Sequence, residues 1–156
     1  MPHDRITPEG QRFLNEIKKL KKLQVRVGYQ QGQEFYDEDG KQVDLLDVAM
    51  FNELGTSRTP SRPFMRDSVD DNMDKIASFC KSQLKAIANG SSDAEKCLKA
   101  IGAMQVGLVQ KTIKDGDFVP NAPSTIARKG SDKPLIDSGR MRQSVHYVIS
   151  EKKGGD

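Results

Sequence analysis

Apolar residues recur at helical spacing in some stretches of this chain and alternate in others, and that rhythm divides it into elements. Phe13, Ile17 and Leu20 share one face of a helix that Thr7-Pro8-Glu9 can start, with a capping hydroxyl, Pro at the first helical position and a carboxylate at the positive end of the dipole. Its basic end, Lys18, Lys19, Lys21 and Lys22, suits the dipole and reads as a solvated face. Val25, Val27 and Tyr29 then alternate with polar neighbours, which predicts a strand over Gln24 to Tyr29. Polar residues follow as far as Asp44, and Asp39-Gly40 between Phe35-Tyr36 and Val43 predicts a hairpin of two short strands. Asp44 can cap a helix that runs through Leu54, with Gly55 as its left-handed stop.

Val69, Met73, Ile76, Cys80, Leu84 and Ile87 follow a three-and-four pattern that predicts a long helix ending at Asn89-Gly90. Ser92-Asp93-Ala94-Glu95 can form a capping box for a second long helix, with Ala94, Leu98, Ile101, Met104 or Gln105, and Leu108 inward and Asp115-Gly116 at its end. Gly102 and Gly107 weaken that helix by about 1 kcal/mol each relative to Ala, so each reads as a close approach or a bend. The short break between the two long helices predicts an antiparallel hairpin. Phe118 to Pro134 is too rich in Pro, Gly, Ser and Lys for regular structure beyond a helical turn at Ser124 to Lys129, and Val145, Tyr147 and Ile149 alternate as a last strand. The expected fold is a single α+β domain over residues 1–156, a small, mainly antiparallel sheet packed against a long helical hairpin. Its strands are Gln24 to Tyr29, the hairpin and the C-terminal strand, the last beside the first. Residues 118–134 are expected to be a mobile assembly loop, and the termini to fray.

Between the short helix and the long one lies a connector. Pro60 and Pro63 fix their own φ, remove donors and push their predecessors toward extended geometry, so Thr59 to Phe64 is expected to run straight with little pairing. In that geometry Arg58, Arg62 and Arg66 could point the same way, with Glu53 the nearest counter-charge.

Asn52-Glu53-Leu54-Gly55-Thr56 followed by Pro60-Ser61-Arg62-Pro63-Phe64-Met65-Arg66 resembles the NEFGT…IPARPFLR signature of the neck and tail-completion (head–tail joining, minor tail) proteins of long-tailed bacteriophages and prophages. Val25-Arg-Val-Gly-Tyr29 resembles the first strand of that family. Pro120 to Lys129 and Pro134 to Ser144 resemble its C-terminal segment. Leu54, Ser61 and Met65 stand where the family usually has Phe, Ala and Leu, swaps that roughly keep size and polarity. The resemblance spans about Val25 to Val148, and Ser82 to Asp117 contributes only a helical pattern to it.

Composition narrows the classes. With 156 residues, 35% of them apolar, and no Trp, the chain supports one modest core. The net charge of +3 is too small to argue for nucleic acid. Between Phe118 and Arg142, five basic residues (Arg128, Lys129, Lys133, Arg140, Arg142) face Asp132 and Asp137, which equals that whole excess. Cys80 and Cys97 fall at apolar helix positions without a CxxC spacing and read as reduced core thiols. No apolar run approaches the roughly 20 residues that span a bilayer, and no signal-like segment opens the chain, so a cytoplasmic start and no membrane are expected.

No enzyme site emerges. With only His3 and His146, a zinc site has too few ligands and a nucleophile has no placed base, and Asp37-Glu38-Asp39-Gly40 lacks the alternating ligands of a calcium loop, so no metal or cofactor is expected. The motif residues Asn52, Glu53, Gly55, Thr56, Pro60, Arg62, Pro63 and Phe64 read as a structural joint, in which Glu53 and Arg62 either form an internal ion pair or do not. Arg58, Arg66, Phe118, Pro120, Pro123, Ile126, Arg128, Lys129, Lys133, Arg140 and Arg142 are the candidate assembly contacts. The resemblance implies a non-enzymatic virion protein at the head–tail junction, assembled in the host cytoplasm as a homo-oligomeric ring. Its implied partners are head-closure or portal-side proteins and tail terminator or tube proteins. The alternative is a nucleic-acid-binding module using the basic 128–142 segment, whose contacts with DNA would be non-specific and salt-dependent. A plain solvated loop remains a third account of that segment.

Overall fold

The structure, a computed structural model, describes residues 5–36, 39–115 and 139–153. In chain order these form α1 (Pro8–Lys22), β1 (Leu23–Gly28), β2 (Glu34–Tyr36), β3 (Gln42–Asp44), α2 (Leu45–Leu54), α3 (Phe64–Asp70), α4 (Met73–Ala88), α5 (Ala94–Asp115), α6 (Gly139–Ser144) and β4 (His146–Glu151). The class is α+β, as the residue pattern implies. Thr7 caps α1 through its side chain to the Gly10 amide, and Asp44 caps α2 through the Leu46 amide, both at the residues the sequence names.

Three details differ from expectation. The strands form two separate two-stranded sheets, β1 with β4 and β2 with β3, in place of one. β2 and β3 are only three residues each, so the hairpin has little edge with which to join another strand. The long helix expected from Val69 onward is broken at Asp71 and Asn72. The Asn72 side chain bonds the Ser68 carbonyl and its own amide turns back to Val69, a local competition with the helix ladder typical of Asx residues. Val69 and Met73, on either side of the break, lie exposed while Ile87 is fully buried. Finally, α5 is capped by Asp93, whose carboxylate accepts from the Lys96 amide, and not by Ser92. Glu95 instead pairs with Lys99 one turn on.

The contacts group the chain into two compact units. The first comprises Met1–Val27, Met73–Met104 and Tyr147–Asp156, with Ile87, Ala94, Cys97 and Leu98 at its core. There α1 packs on α4 and is fastened across the link between α4 and α5. Arg12 donates to the carbonyls of Ile87 and Ser92, a cation at the negative end of α4. One turn later, Glu16 accepts from the Ala94 amide at 2.8 Å, a carboxylate at the positive end of α5. The Lys152 amide donates to the Lys22 carbonyl and Gln24 meets Ser150, so the end of β4 lies beside the start of β1 and the pair runs antiparallel.

The second unit comprises Gly28–Asn72 and Gln105–His146. Its core holds Leu45, Ala49, Phe64, Leu108, Val109, Ile113, Met141 and Val145, with α2 packed against β3, α3 and α6. Ser68 is buried with them, its hydroxyl donating to the Met65 carbonyl and accepting from Gln105 Nε2. Residues 118–134, with the turn expected at Ser124 to Lys129, lie outside the described residues.

Candidate functional site

The joint between α2 and α3 is assembled by main-chain bonds that the motif residues make possible. Pro63, the N-cap of α3, has no side chain able to cap it. Glu53, in the last turn of α2, does so instead: its two carboxylate oxygens accept from the amides of Met65 at 2.8 Å and Arg66 at 3.0 Å. An acid at a helix N-terminus also meets the favourable end of the dipole.

The intervening chain is folded back to allow this. Gly55 takes φ +76° with ψ 170°, a conformation open to glycine alone, and a Cβ there would stand 2.8 Å from the Ser61 nitrogen. The Thr56 hydroxyl accepts from the amides of Arg58 and Thr59, and the Thr56 amide donates to the Thr59 carbonyl. Ser61 Oγ then donates to the Glu53 carbonyl at 2.7 Å, and the Arg62 amide donates to the Asn52 carbonyl at 2.6 Å. The connector is therefore tied to α2 at Ser61 and Arg62, where little pairing was expected. Arg58 lies in the turn and Arg66 within α3, both exposed, whereas Arg62 is half-buried and burial holds its guanidinium below the usual arginine range. The three arginines do not form one extended row.

Phe64 is fully buried, and its ring meets that of Tyr29 edge-on, the centroids 6.2 Å apart at 72°. The Tyr29 hydroxyl reaches past it to donate to the Met141 carbonyl at 2.8 Å. Asn52 Nδ2 donates to the Val48 carbonyl at 2.9 Å and touches Met141 Sδ at 3.8 Å. Burial, and then the nearby Glu53 charge, push the Tyr29 phenol well above the usual tyrosine range. Tyr29, the Asn52 to Phe64 stretch and Met141 come from the three separate segments noted in the sequence, and they meet at one node.

The basic candidates fare differently. Arg140 lies over the ring of Phe35, its guanidinium carbon 4.5 Å from the centroid, and so braces the hairpin against α6. The Arg142 carbonyl accepts from Gln110 at 3.1 Å, which ties α6 to α5. Phe118, Pro120, Pro123, Ile126, Arg128, Lys129 and Lys133 lie outside the described residues. Among the described residues, no three His, Cys, Asp or Glu side chains gather in a group that could hold a metal ion, and no helix is long and apolar enough to cross a membrane.

Asp47, Met50, Phe51 and Leu54 form a single exposed stripe along α2, with Met50 46%, Phe51 54% and Leu54 73% exposed. The signal in the sequence is that seven of the ten residues of α2 are apolar and spread around the helix, Asp47, Asn52 and Glu53 being the exceptions, more than one buried face needs. Only its inner face, at Leu45 and Ala49, is buried within the second unit.

No family model matches the chain, and no curated protein and no solved structure matches it significantly.

Proposed function

We propose that the chain is a structural subunit of the head–tail junction of a tailed phage or prophage, a neck or tail-completion protein that works by protein–protein contact as one member of a ring. The observation that supports this most is the node around Phe64. The three stretches that resemble the family lie far apart in sequence and converge on Tyr29, Glu53, Phe64 and Met141, as expected of residues kept for a common joint. The joint fixes the angle between α2 and α3, and thereby the direction in which the outer face of α2 is presented. Ring neighbours need two different patches that fit each other. Head-closure or portal-side proteins on one side and tail terminator or tube proteins on the other are the partners of such a ring. Deleting the gene from an inducible prophage tests the role: DNA-filled heads and separate tails in the lysate are expected, and joined particles refute it.

A nucleic-acid-binding module is the second reading, and the uneven placement of basic residues keeps it in view. Binding of the purified protein to duplex DNA that weakens steeply with salt favours it, and no binding at moderate salt speaks against it.

A further inference from the structure

We infer that the exposed stripe of α2 docks onto the basic face of α1 in a second copy of this chain, forming a heterologous, head-to-tail interface. The inference rests on the ring-forming reading above and names the surface that reading requires. Met50, Phe51 and Leu54 stand at i+3, i+4 and i+7 from Asp47, so three large apolar side chains and one acid make a continuous ridge. Three large apolar side chains exposed together on one helix face make a contact surface awaiting cover.

Charge selects the occupant. The first unit carries fourteen Lys and Arg against eight Asp and Glu, a formal charge of +6; the second carries eleven against fourteen, or −3. Gly28–Asn72, which holds the ridge, has four basic and ten acidic residues, or −6. The chain thus bears opposite fields in its two units, the complementarity that steers like subunits head to tail and opposes contact between two copies of the same face. On α1, Leu14, Lys18, Lys21 and Lys22 lie at i, i+4, i+7 and i+8, all exposed, an apolar residue and three cations in one row. Lys19 falls outside this row and is held by Glu16 at 3.3 Å. In the contact, Leu14 and the lysine stems cover Phe51 and Leu54, and an ammonium group faces Asp47.

Sedimentation velocity on the full chain decides it. The wild type should associate with rising concentration and dissociate with added salt. Phe51→Glu breaks one face and the double variant Lys18→Glu/Lys21→Glu the other, and each alone should weaken association at least about tenfold with circular dichroism unchanged. Mixed together, the two variants should form a 1:1 dimer and nothing larger, because one intact junction remains. A wild type that stays monomeric to about 1 mM overturns the inference. So do variants that associate like the wild type, or a mixture that stays monomeric. Loss of duplex DNA binding in the lysine variant, with wild-type association retained, likewise overturns it in favour of a polynucleotide surface. A prophage deletion complemented with Phe51→Glu separates the two readings. Joined particles there, against unjoined ones in the deletion, refute the interface and leave the neck role standing. Joined particles in the deletion itself refute the neck role, while sedimentation still decides the interface.

Discussion

Gly102, in the middle of α5, faces the ring of Tyr147 on β4 so closely that a Cβ at Gly102 would stand 2.6 Å from the ring carbon Cγ and 2.9 Å from Cβ. The helix accepts a residue of poor propensity there in exchange for seating on the strand. Gly102→Ala should therefore destabilise by about 1 to 3 kcal/mol, despite Ala being the better helix former. The substitution at Gly107, which has no atom within 4 Å of a built Cβ, should not destabilise. Urea denaturation of both variants checks this, and Tyr147→Ala should recover part of the loss at Gly102 in a double-mutant cycle.

Glu16 is the acid whose removal the first unit should feel most. Its carboxylate is almost fully buried and accepts from Ala94, whose amide would otherwise be an orphan of a helix N-terminus. Glu16→Ala should cost about 1 to 3 kcal/mol. The hydrogen bond from Ala94, reinforced by Lys19 and opposed by burial, holds the carboxyl below its ordinary value of 4.5. A lowered carboxyl stabilises the folded state above that ordinary value, and the contribution is lost as pH falls through the lowered one. Acid unfolding of Glu16→Gln should accordingly show a shallower dependence on pH below about 4.5 than the wild type.

Local signals in the sequence identified the caps at Thr7 and Asp44, the turns at Asp39-Gly40 and Asn89-Gly90, and the pairing of the last strand with the first. Each depends on a few neighbouring residues with a definite conformational preference. The break at Asp71-Asn72 was hidden because Val69 and Met73 extend the apolar spacing of α4 across it, and only side-chain competition for the main chain ends the helix there. The cap on α5 departs from the sequence pattern for a related reason. Ser92 to Glu95 fits the capping box, but Asp93 and the distant Glu16 hold the amides. At the joint, the motif pointed to Glu53, and the amides of Met65 and Arg66 from which its carboxylate accepts are main-chain groups that no side-chain pattern displays.

The two cysteines should differ in reactivity. Both are free, but Cys97 is buried on α5 and Cys80 half-buried on α4. Burial, and then the neighbouring Cys80, raise the Cys97 thiol above its usual range. Since the thiolate is the reactive form, a maleimide should label Cys80 well before Cys97 in the native protein and both at once in denaturant. Equal native rates would contradict the packing of Cys97.

The joint itself offers a titration that reads its geometry. Tyr29 is half-buried against Phe64 and held near Glu53, so ionising its phenol would place a second negative charge in a partly desolvated site beside the first. Burial is the larger cause and the carboxylate the smaller. In a Tyr36→Phe/Tyr147→Phe background, tyrosinate absorbance should therefore develop well above the ordinary value of 10.0. Adding Glu53→Gln should move that titration down without bringing it to the ordinary value, since burial remains. A phenol raised in the folded state leaves stability intact below its ordinary value and removes it as pH rises beyond, so alkaline unfolding should begin later in Tyr29→Phe than in the wild type when each is referred to its own neutral stability. Glu53→Ala should also cost about 1 to 3 kcal/mol, because two amides at the start of α3 lose their acceptor. An unmoved titration in Glu53→Gln would mean that the carboxylate does not face the ring, and the node around Phe64 would lose the residue that links it to the connector.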